Sequence, residues 1–452
     1  MANRSSPLPR RRKPLRPART VFLGFLAADA AGTVLLLLPA ATRDPGGAPF
    51  MAAFFTATSS LCVTGLGVVD TAVYWTGFGH VVMLALIQLG GFGVMSFASL
   101  VALAVIRRLP LRNRVTTAFE GNNPDLARIP SVIRGVLMIT LWVEAAVALV
   151  LAARFWLAYG RPPGEALWLG VFHSVSAFNN AGFALFSDNM VQYAADPAIC
   201  LPICAAVILG GLGFPVLVQL RRHLLVPRLW SMNTRLVLAG TLTLLAAGTA
   251  LITAFEWNNP RTLGPLDWPA KLLAGFFNSV QTRTSGFSSV DTGAMYADTL
   301  ISMSGLMFIG AGPAGTGGGV KITTAGVIVF IILAEIRGRV NVTVLGKTLS
   351  PTVYRQAIAV LALSAILVSV ATGILFALTG FALESVLFEA VSAFATVGLS
   401  TGITADIPVP GQLVLIVLMF AGRMGPLIFA SALALRDRPM RYQLPTERPI
   451  IG

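Results

Sequence analysis

Four short stretches share one pattern: Phe55-TATSSLCVT-Gly65, Phe172-HSVSAFNNA-Gly182, Phe276-FNSVQTRTS-Gly286 and Phe388-EAVSAFATV-Gly398, each with phenylalanine ten residues before glycine. The glycines recur at intervals of 117, 104 and 112 residues, and self-similarity at a long period marks a repeated structural unit. A second glycine cluster follows each stretch, at Gly90-Gly91, Gly210-Gly211, Gly310 to Gly319 and Gly422. The stretches lie between paired apolar runs near 21–40 and 78–106, 132–158 and 198–220, 236–255 and 299–336, and 356–380 and 411–435. A bilayer core about 30 Å thick takes roughly 20 apolar residues in a helix, so the long runs read as spans. The stretch before each glycine has about ten residues, too few to cross, and reads as a re-entrant half-helix.

The expected fold is therefore an all-α membrane protein of four span, re-entrant half-helix, span repeats around a pseudo-fourfold pore, with eight transmembrane helices. The expected organisation is a basic tail at 1–20, repeats at 21–106, 131–220, 235–336 and 355–435, and a tail at 436–452. The third repeat holds an interrupting loop at 310–319.

Composition agrees with spans. The 452 residues are 55% hydrophobic and 12% charged, about half the charge a soluble surface carries. A formal charge of +14 raises nucleic-acid binding, and the placement of the basic residues excludes it. Segments 1–20, 107–134, 221–235, 337–355 and 436–452 carry 7, 6, 4, 4 and 4 of the 33 Lys and Arg residues, and all fall on one side of an eight-span chain. The positive-inside rule makes that side cytoplasmic, with both termini inside. Acidic residues such as Asp70, Asp188 and Asp291 fall opposite. The basic residues 10–13 before the first apolar run resemble a secretory signal, but the run is too long for a signal core and seven further spans follow. Three cysteines and three scattered histidines form no disulfide framework, zinc motif or HExxH pair.

The half-helices have a chemical use. Each directs its carbonyl end, with about half a negative charge, toward the membrane centre, which favours a cation there. The glycine after it permits dihedrals that turn successive carbonyls toward an axis. Four such strands replace the hydration shell of a dehydrated monovalent cation in the manner of a potassium filter. Backbone oxygens from Val63, Thr64, Gly65, Asn180, Ala181, Gly182, Thr284, Ser285, Gly286, Thr396, Val397 and Gly398 are the candidate ligands.

Cys62-Val-Thr-Gly-Leu66, Asn179-Asn-Ala-Gly-Phe183, Thr282-Arg-Thr-Ser-Gly-Phe287 and Ala395-Thr-Val-Gly-Leu399 resemble the four filters of the Trk/Ktr/HKT superfamily of potassium transporters. Gly310-AGPAGTGGGVK-Ile322 and Phe420-AGRMGPL427 are similar to that family's third and fourth repeats, and the likeness covers nearly the whole chain. The short N-terminus and eight spans resemble the Ktr membrane subunit (KtrB) more than TrkH, which carries extra N-terminal helices. Asn179 and Asn180 make the second filter more polar than the others, and Arg283 places a cation beside the third. The resemblance implies potassium uptake through the filter, often dependent on sodium. It also implies a homodimer in the cell membrane, resting on a cytoplasmic ring of nucleotide-binding regulatory (KtrA-like) subunits. In the plant members a serine at the first filter glycine goes with sodium preference, so Gly65 points to potassium over a sodium-conducting relative.

Residues Gly310, Gly312, Gly315, Thr316, Gly317, Gly318 and Gly319, with Pro313 among them, break a helix within the membrane. The resemblance implies an intramembrane gate here, with Arg423 beside it repelling cations or holding the loop by its carbonyls. Arg423 lies mid-span, where a cation costs at least ~2.5 kcal/mol and is expected to face an interior partner. Lys321 either ends the loop in the same way or reaches the cytoplasmic surface. Gly310 to Gly315 also fits GxGxxG, but a span precedes it instead of a βαβ unit, and Val320 spoils a P-loop. Arg283 is expected behind the filter, bracing its backbone or a half-helix carboxylate such as Glu389. Asp29 and Glu144 are ion ligands or, preferably, helix-to-helix hydrogen-bonding groups, and His173 is expected as a packing residue. Asp70 and Asp291 either attract cations at the outer mouth or cap the next segment. No cluster of acids, histidines or cofactor motifs supports a membrane enzyme, and an interaction scaffold has no need of four matched re-entrant segments.

Overall fold

The computed structural model describes residues 17–108, 129–339 and 341–434. The C-terminal tail 436–452 and most of the basic segments 1–20 and 107–134 lie outside the described residues.

Fifteen α-helices follow one another among the described residues. The first group is α1 (Pro17–Leu37), α2 (Phe50–Leu61), the single turn α3 (Thr71–Tyr74) and α4 (Gly77–Arg108). The second is α5 (Ile129–Leu157), α6 (Pro163–Phe178), α7 (Pro197–Leu212) and α8 (Phe214–His223). The third is α9 (Met232–Glu256), α10 (Trp268–Gln281), α11 (Ala297–Phe308) and α12 (Ile322–Ile336). A two-residue hairpin, β1 (Thr343–Val344) and β2 (Lys347–Thr348), precedes α13 (Pro351–Thr379), α14 (Leu383–Ala395) and α15 (Val409–Ala434). Leu345 and Gly346 make its turn with φ of 48° and 81°, the left-handed pair that a tight hairpin requires.

Polarity is inverted relative to a soluble bundle. Trp142, Leu242 and Val417 on the long helices are 75%, 72% and 59% exposed, while Glu144, Asn180, Asn278 and Glu389 are buried. Such an apolar exterior is stable only against hydrocarbon. Among the described residues, α9, α13 and Ile133–Leu157 of α5 are long and apolar enough to cross a membrane, and α7 with α8 passes as a bent pair. Helices α1, α4 and α15 run 21, 32 and 26 residues, and their described side chains include the shorter apolar runs Phe22–Leu37, Gly77–Gly93 and Val409–Gly425.

Helices α2, α6, α10 and α14 have 12, 16, 14 and 13 residues. At 1.5 Å per residue they reach roughly 18–24 Å, short of a bilayer core. Pro49 stands just before α2, and Pro163 and Pro269 lie in the first turns of α6 and α10. There a missing N–H costs nothing, because the first amides of a helix have no partner within it. Each half-helix packs on the span before it, α2 on α1, α6 on α5, α10 on α9 and α14 on α13. Each also packs on the second span of the preceding group: α6 on α4, α10 on α7, α14 on α11 and, closing the circle, α2 on α15.

The expected span at 198–220 is not one helix. It breaks at Gly213, and α7 and α8 bend by 103°. Gly213 has φ 90° and ψ 144°, a conformation open in practice to glycine alone. Pro215 in the first turn of α8 removes the amide that would have continued α7. The third group is also interrupted, as expected, with the loop between Phe308 and Ile322.

Candidate functional site

The residues that follow the half-helices adopt one conformation four times. Val63, Asn180, Thr284 and Thr396, each two residues before the motif glycine, have φ of 57°, 61°, 79° and 50°. Gly65, Gly182, Gly286 and Gly398 then have φ of 95°, 71°, 78° and 89°. Left-handed dihedrals cost a non-glycine residue about 1–2 kcal/mol, and strain of this kind persists only where the surroundings over-determine it.

Those surroundings are the neighbouring strands. A Cβ on Gly65 would collide with the Ala181 carbonyl oxygen, on Gly182 with that of Ser285, on Gly286 with that of Val397, and on Gly398 with that of Thr64. The contacts run from the first strand to the second, third and fourth and back to the first. Four carbonyls and four glycines therefore form a closed ring. All four glycines line one vestibule of about 660 Å³, with Asp70, Asp188 and Asp291 on its wall. Asp70 and Asp291 also cap, accepting from the amides of Ala72 at 2.9 Å and Gly293 at 3.0 Å, so the capping role is present in both.

Each strand is pinned from behind. The amides of Thr64, Ala181 and Val397 donate to the carbonyls of Ser59, Ser176 and Ser392 at 2.8, 2.7 and 2.8 Å. The hydroxyls of Ser59 and Ser392 accept from Gly65 and Gly398, each at 3.1 Å. Serine stands six residues before the glycine in three of the stretches, the signal for this bond in the sequence; the third has Val280 there. Buried carboxylates brace the rest. Glu389 accepts from Ser400, Thr401 and Thr404, Glu144 from Gln88 and Asn179, and Asp29 from Thr58. Asp29 and Glu144 thus take the helix-to-helix role. His173 stacks on Phe186 at 5.1 Å between ring centres, and its ring nitrogens meet the Leu169 carbonyl and the Leu185 amide, a packing role.

Arg283 does not pair with Glu389. It lies behind the third strand and donates to the Gly310 carbonyl at 3.2 Å. Its Nε and Nη1 have no side-chain or backbone partner. Its partner is a backbone carbonyl, because Glu389 spends its oxygens on the hydroxyls and amide of the segment that follows its own half-helix.

Directly beneath the ring lies the loop between α11 and α12. Its ends are pinched together where the Gly310 amide donates to the Val320 carbonyl at 2.8 Å and the Ile322 amide to Ala311 at 3.2 Å. The loop touches the ring through three strands: a Cβ on Gly317 would strike Thr284 Oγ1, the Gly318 amide donates to Thr396 Oγ1 at 3.1 Å, and Thr316 Oγ1 donates to Asn180 Oδ1 at 3.2 Å. On its other side it is stitched to the break after α7. The amides of Gly312 and Thr316 donate to the carbonyls of Gly211 and Gly210 at 2.8 and 3.1 Å, and Phe214 donates to Ala314 at 3.2 Å. Gly213 itself abuts the Pro313 carbonyl so closely that any Cβ would displace it. This seam was not anticipated, although Gly213-Phe-Pro215, a helix stop followed by a helix start, was its signal.

Two cations hold the loop. Arg423, 3% exposed, donates to the carbonyls of Thr316 and, at 3.1 Å, Gly90. Lys321 Nζ, half-buried, donates to the Gly317 carbonyl at 2.5 Å, so it braces the end of the loop. Neither side chain is within reach of a carboxylate among the described residues. An unpaired buried charge such as Arg423 costs several kcal/mol, and here the carbonyls freed by an unwound segment supply the compensation.

The fold and site define a multi-pass membrane protein of four span, re-entrant half-helix, span units closed around one axis. The family description TrkH, cation transport protein, matches residues 25–437. "Ktr system potassium uptake protein B" of Bacillus subtilis (strain 168) is 37% identical over 430 residues, covering 94% of this chain and 95% of that protein. The protein of the same name from Vibrio alginolyticus is 35% identical over 441 residues, covering 96% and 94%. "Potassium/sodium uptake protein NtpJ" of Enterococcus hirae is 30% identical over 449 residues, covering 98% of each. The crystal structure of the potassium transporter TrkH from Vibrio parahaemolyticus superposes with a TM-score of 0.72 at 20% identity, over 93% of this chain and 84% of that one, and so shares the fold. The chain belongs to the TrkH family of cation transport proteins, and it is a transporter and not an enzyme.

Proposed function

We propose that the chain is the ion-translocating subunit of a Ktr-like potassium uptake system. The single observation that carries this reading is the closed ring of carbonyls from Thr64, Ala181, Ser285 and Val397, each set against a glycine of the preceding strand. Backbone oxygens of Val63, Thr64, Gly65 and their counterparts in the other three strands form the selectivity filter. They replace the water around a dehydrated potassium ion, and the carbonyl ends of four half-helices supply the negative potential. The acidic vestibule concentrates cations at the outer mouth. Transport is passive, driven by about 2.3 kcal/mol per charge for each 100 mV of membrane potential.

The loop 310–319 is the gate. It lies under the filter at rest, anchored by Arg423 and Lys321, and conduction requires its withdrawal. The chain sits in the cell membrane with eight spans and both termini in the cytoplasm, an orientation supported by its basic segments. It works as a homodimer, its basic cytoplasmic segments docking a ring of nucleotide-binding subunits that move the gate. Sodium promotes uptake, in keeping with the potassium and sodium in the name of one relative.

Expression in a bacterium lacking potassium uptake, grown in low-potassium medium with and without sodium, tests this. Growth restored by the chain, and more strongly with sodium, is the expected result. Sodium accumulation without potassium uptake would overturn the potassium assignment.

A further inference from the structure

Among the four residues two places before the filter glycines, Val63, Asn180, Thr284 and Thr396, only Asn180 carries an amide, with its donor and its acceptor on separate atoms. Its Nδ2 donates to Thr284 Oγ1 at 3.1 Å and to the Arg283 carbonyl at 3.4 Å, both on the third strand. The carbonyl can only accept, which fixes the orientation of the amide. Its Oδ1 accepts from Thr316 Oγ1 at 3.2 Å, and that hydroxyl also reaches the Phe178 carbonyl at 3.3 Å. Asn180, Thr284 and Thr316 are all within 1% of complete burial, so water does not compete for these bonds. Val63 at the equivalent place in the first strand has no polar group, and Thr396 in the fourth accepts from the loop without reaching a neighbouring strand.

We propose that Thr316 is a specificity-determining positioning residue: from the gate loop it holds the Asn180 amide, which in turn holds the second and third filter strands in register. The inference rests on the filter and gate reading and adds a link between them. Loop and filter then share one equilibrium, and linkage makes the effect reciprocal. A disturbance of the loop at Thr316 loosens the inner end of the filter, and a disturbance of Asn180 loosens the loop.

The test uses the full chain reconstituted in liposomes, with potassium and sodium fluxes measured side by side. Thr316→Val and Thr316→Ala both remove the hydroxyl, so either one carries the test if the other folds poorly. The expected result is a potassium-to-sodium flux ratio lowered about fivefold, the scale of one lost buried hydrogen bond, together with raised basal flux. Thr316→Ser, which keeps the hydroxyl, restores both. Adding Asn180→Leu to Thr316→Val lowers the ratio no further than Asn180→Leu alone, since both cut one chain of bonds. A ratio unchanged in Thr316→Val, or a fully additive double variant, overturns the link. Gly286→Ser in the same assay separates the two levels: if it lowers the ratio while Thr316→Val does not, the filter stands and only the link fails. If neither moves the ratio, the filter reading itself fails.

Discussion

The ring and the loop beneath it are both rich in glycine, yet they use it in opposite ways. In the ring each glycine admits the carbonyl of the next strand, and the same φ pair recurs in all four strands. In the loop the glycines unwind a helix at one place only. In the first, second and fourth groups the second-span glycines Gly90, Gly210 and Gly422 press against the carbonyls of Leu61, Phe178 and Phe394, four residues before the ring glycine. In the third, Gly310 meets the loop's own Gly318 instead. The second spans of the first, second and fourth groups thus buttress the ring through these glycines, and that of the third is unwound beneath it. Recognising a spherical ion calls for symmetry. On the proposed reading of the loop as a gate, blocking its path calls for one element able to move without the other three.

Breaking the symmetric part has the largest expected effect. Gly286→Ala puts a Cβ into the Val397 carbonyl and forces a strained dihedral of about 1–3 kcal/mol, so rubidium uptake should fall roughly tenfold to a hundredfold. Uptake within a factor of two of the parent would detach the ring from conduction. On the asymmetric side the sign reverses. Deleting Gly312 to Gly317 should raise basal flux in liposomes roughly tenfold, and Arg423→Gln, which gives up two charge-assisted bonds to carbonyls, should do so about as strongly. Unaltered basal flux in both would remove the gate.

Smaller effects sharpen the boundary between the two parts. Gly213→Ala strains φ and displaces the Pro313 carbonyl, so it should raise basal flux about fivefold and leave the stability of the half-helices alone; a fall in flux would mean the seam opens the path instead of closing it. Ser392→Ala removes only the hydroxyl behind Gly398. Its expected cost is about twofold in the potassium-to-sodium ratio, read in the same flux assay, with no change in basal leak. A change in leak but not in ratio would place Ser392 with the gate.

The repeats were legible because a re-entrant segment must be short, apolar and closed by glycine, and each requirement leaves a mark in the chain. Arg423 and the loop were legible for a related reason: a cation and a glycine run within a span have few structural uses. What escaped was pairing between distant segments. Nothing in the sequence said that the loop would be sewn to Gly210 and Gly211, that Arg283 would reach Gly310, or that Glu389 would be satisfied by Ser400 and Thr404. Those partners are chosen by how helices cross, and side-chain type alone leaves several candidates open. The bend at Gly213 lost its signal within an apolar run of ordinary span length. The hairpin at 343–348 was hidden in a basic segment read only for its charge.

Anomalous diffraction, or high-resolution imaging, of the full chain in rubidium or thallium tests the central claim most directly. The account predicts density on the axis between the carbonyls of Thr64, Ala181, Ser285 and Val397, displaced when potassium is in excess. An axis without a bound cation, while the four strands keep this arrangement, would contradict it.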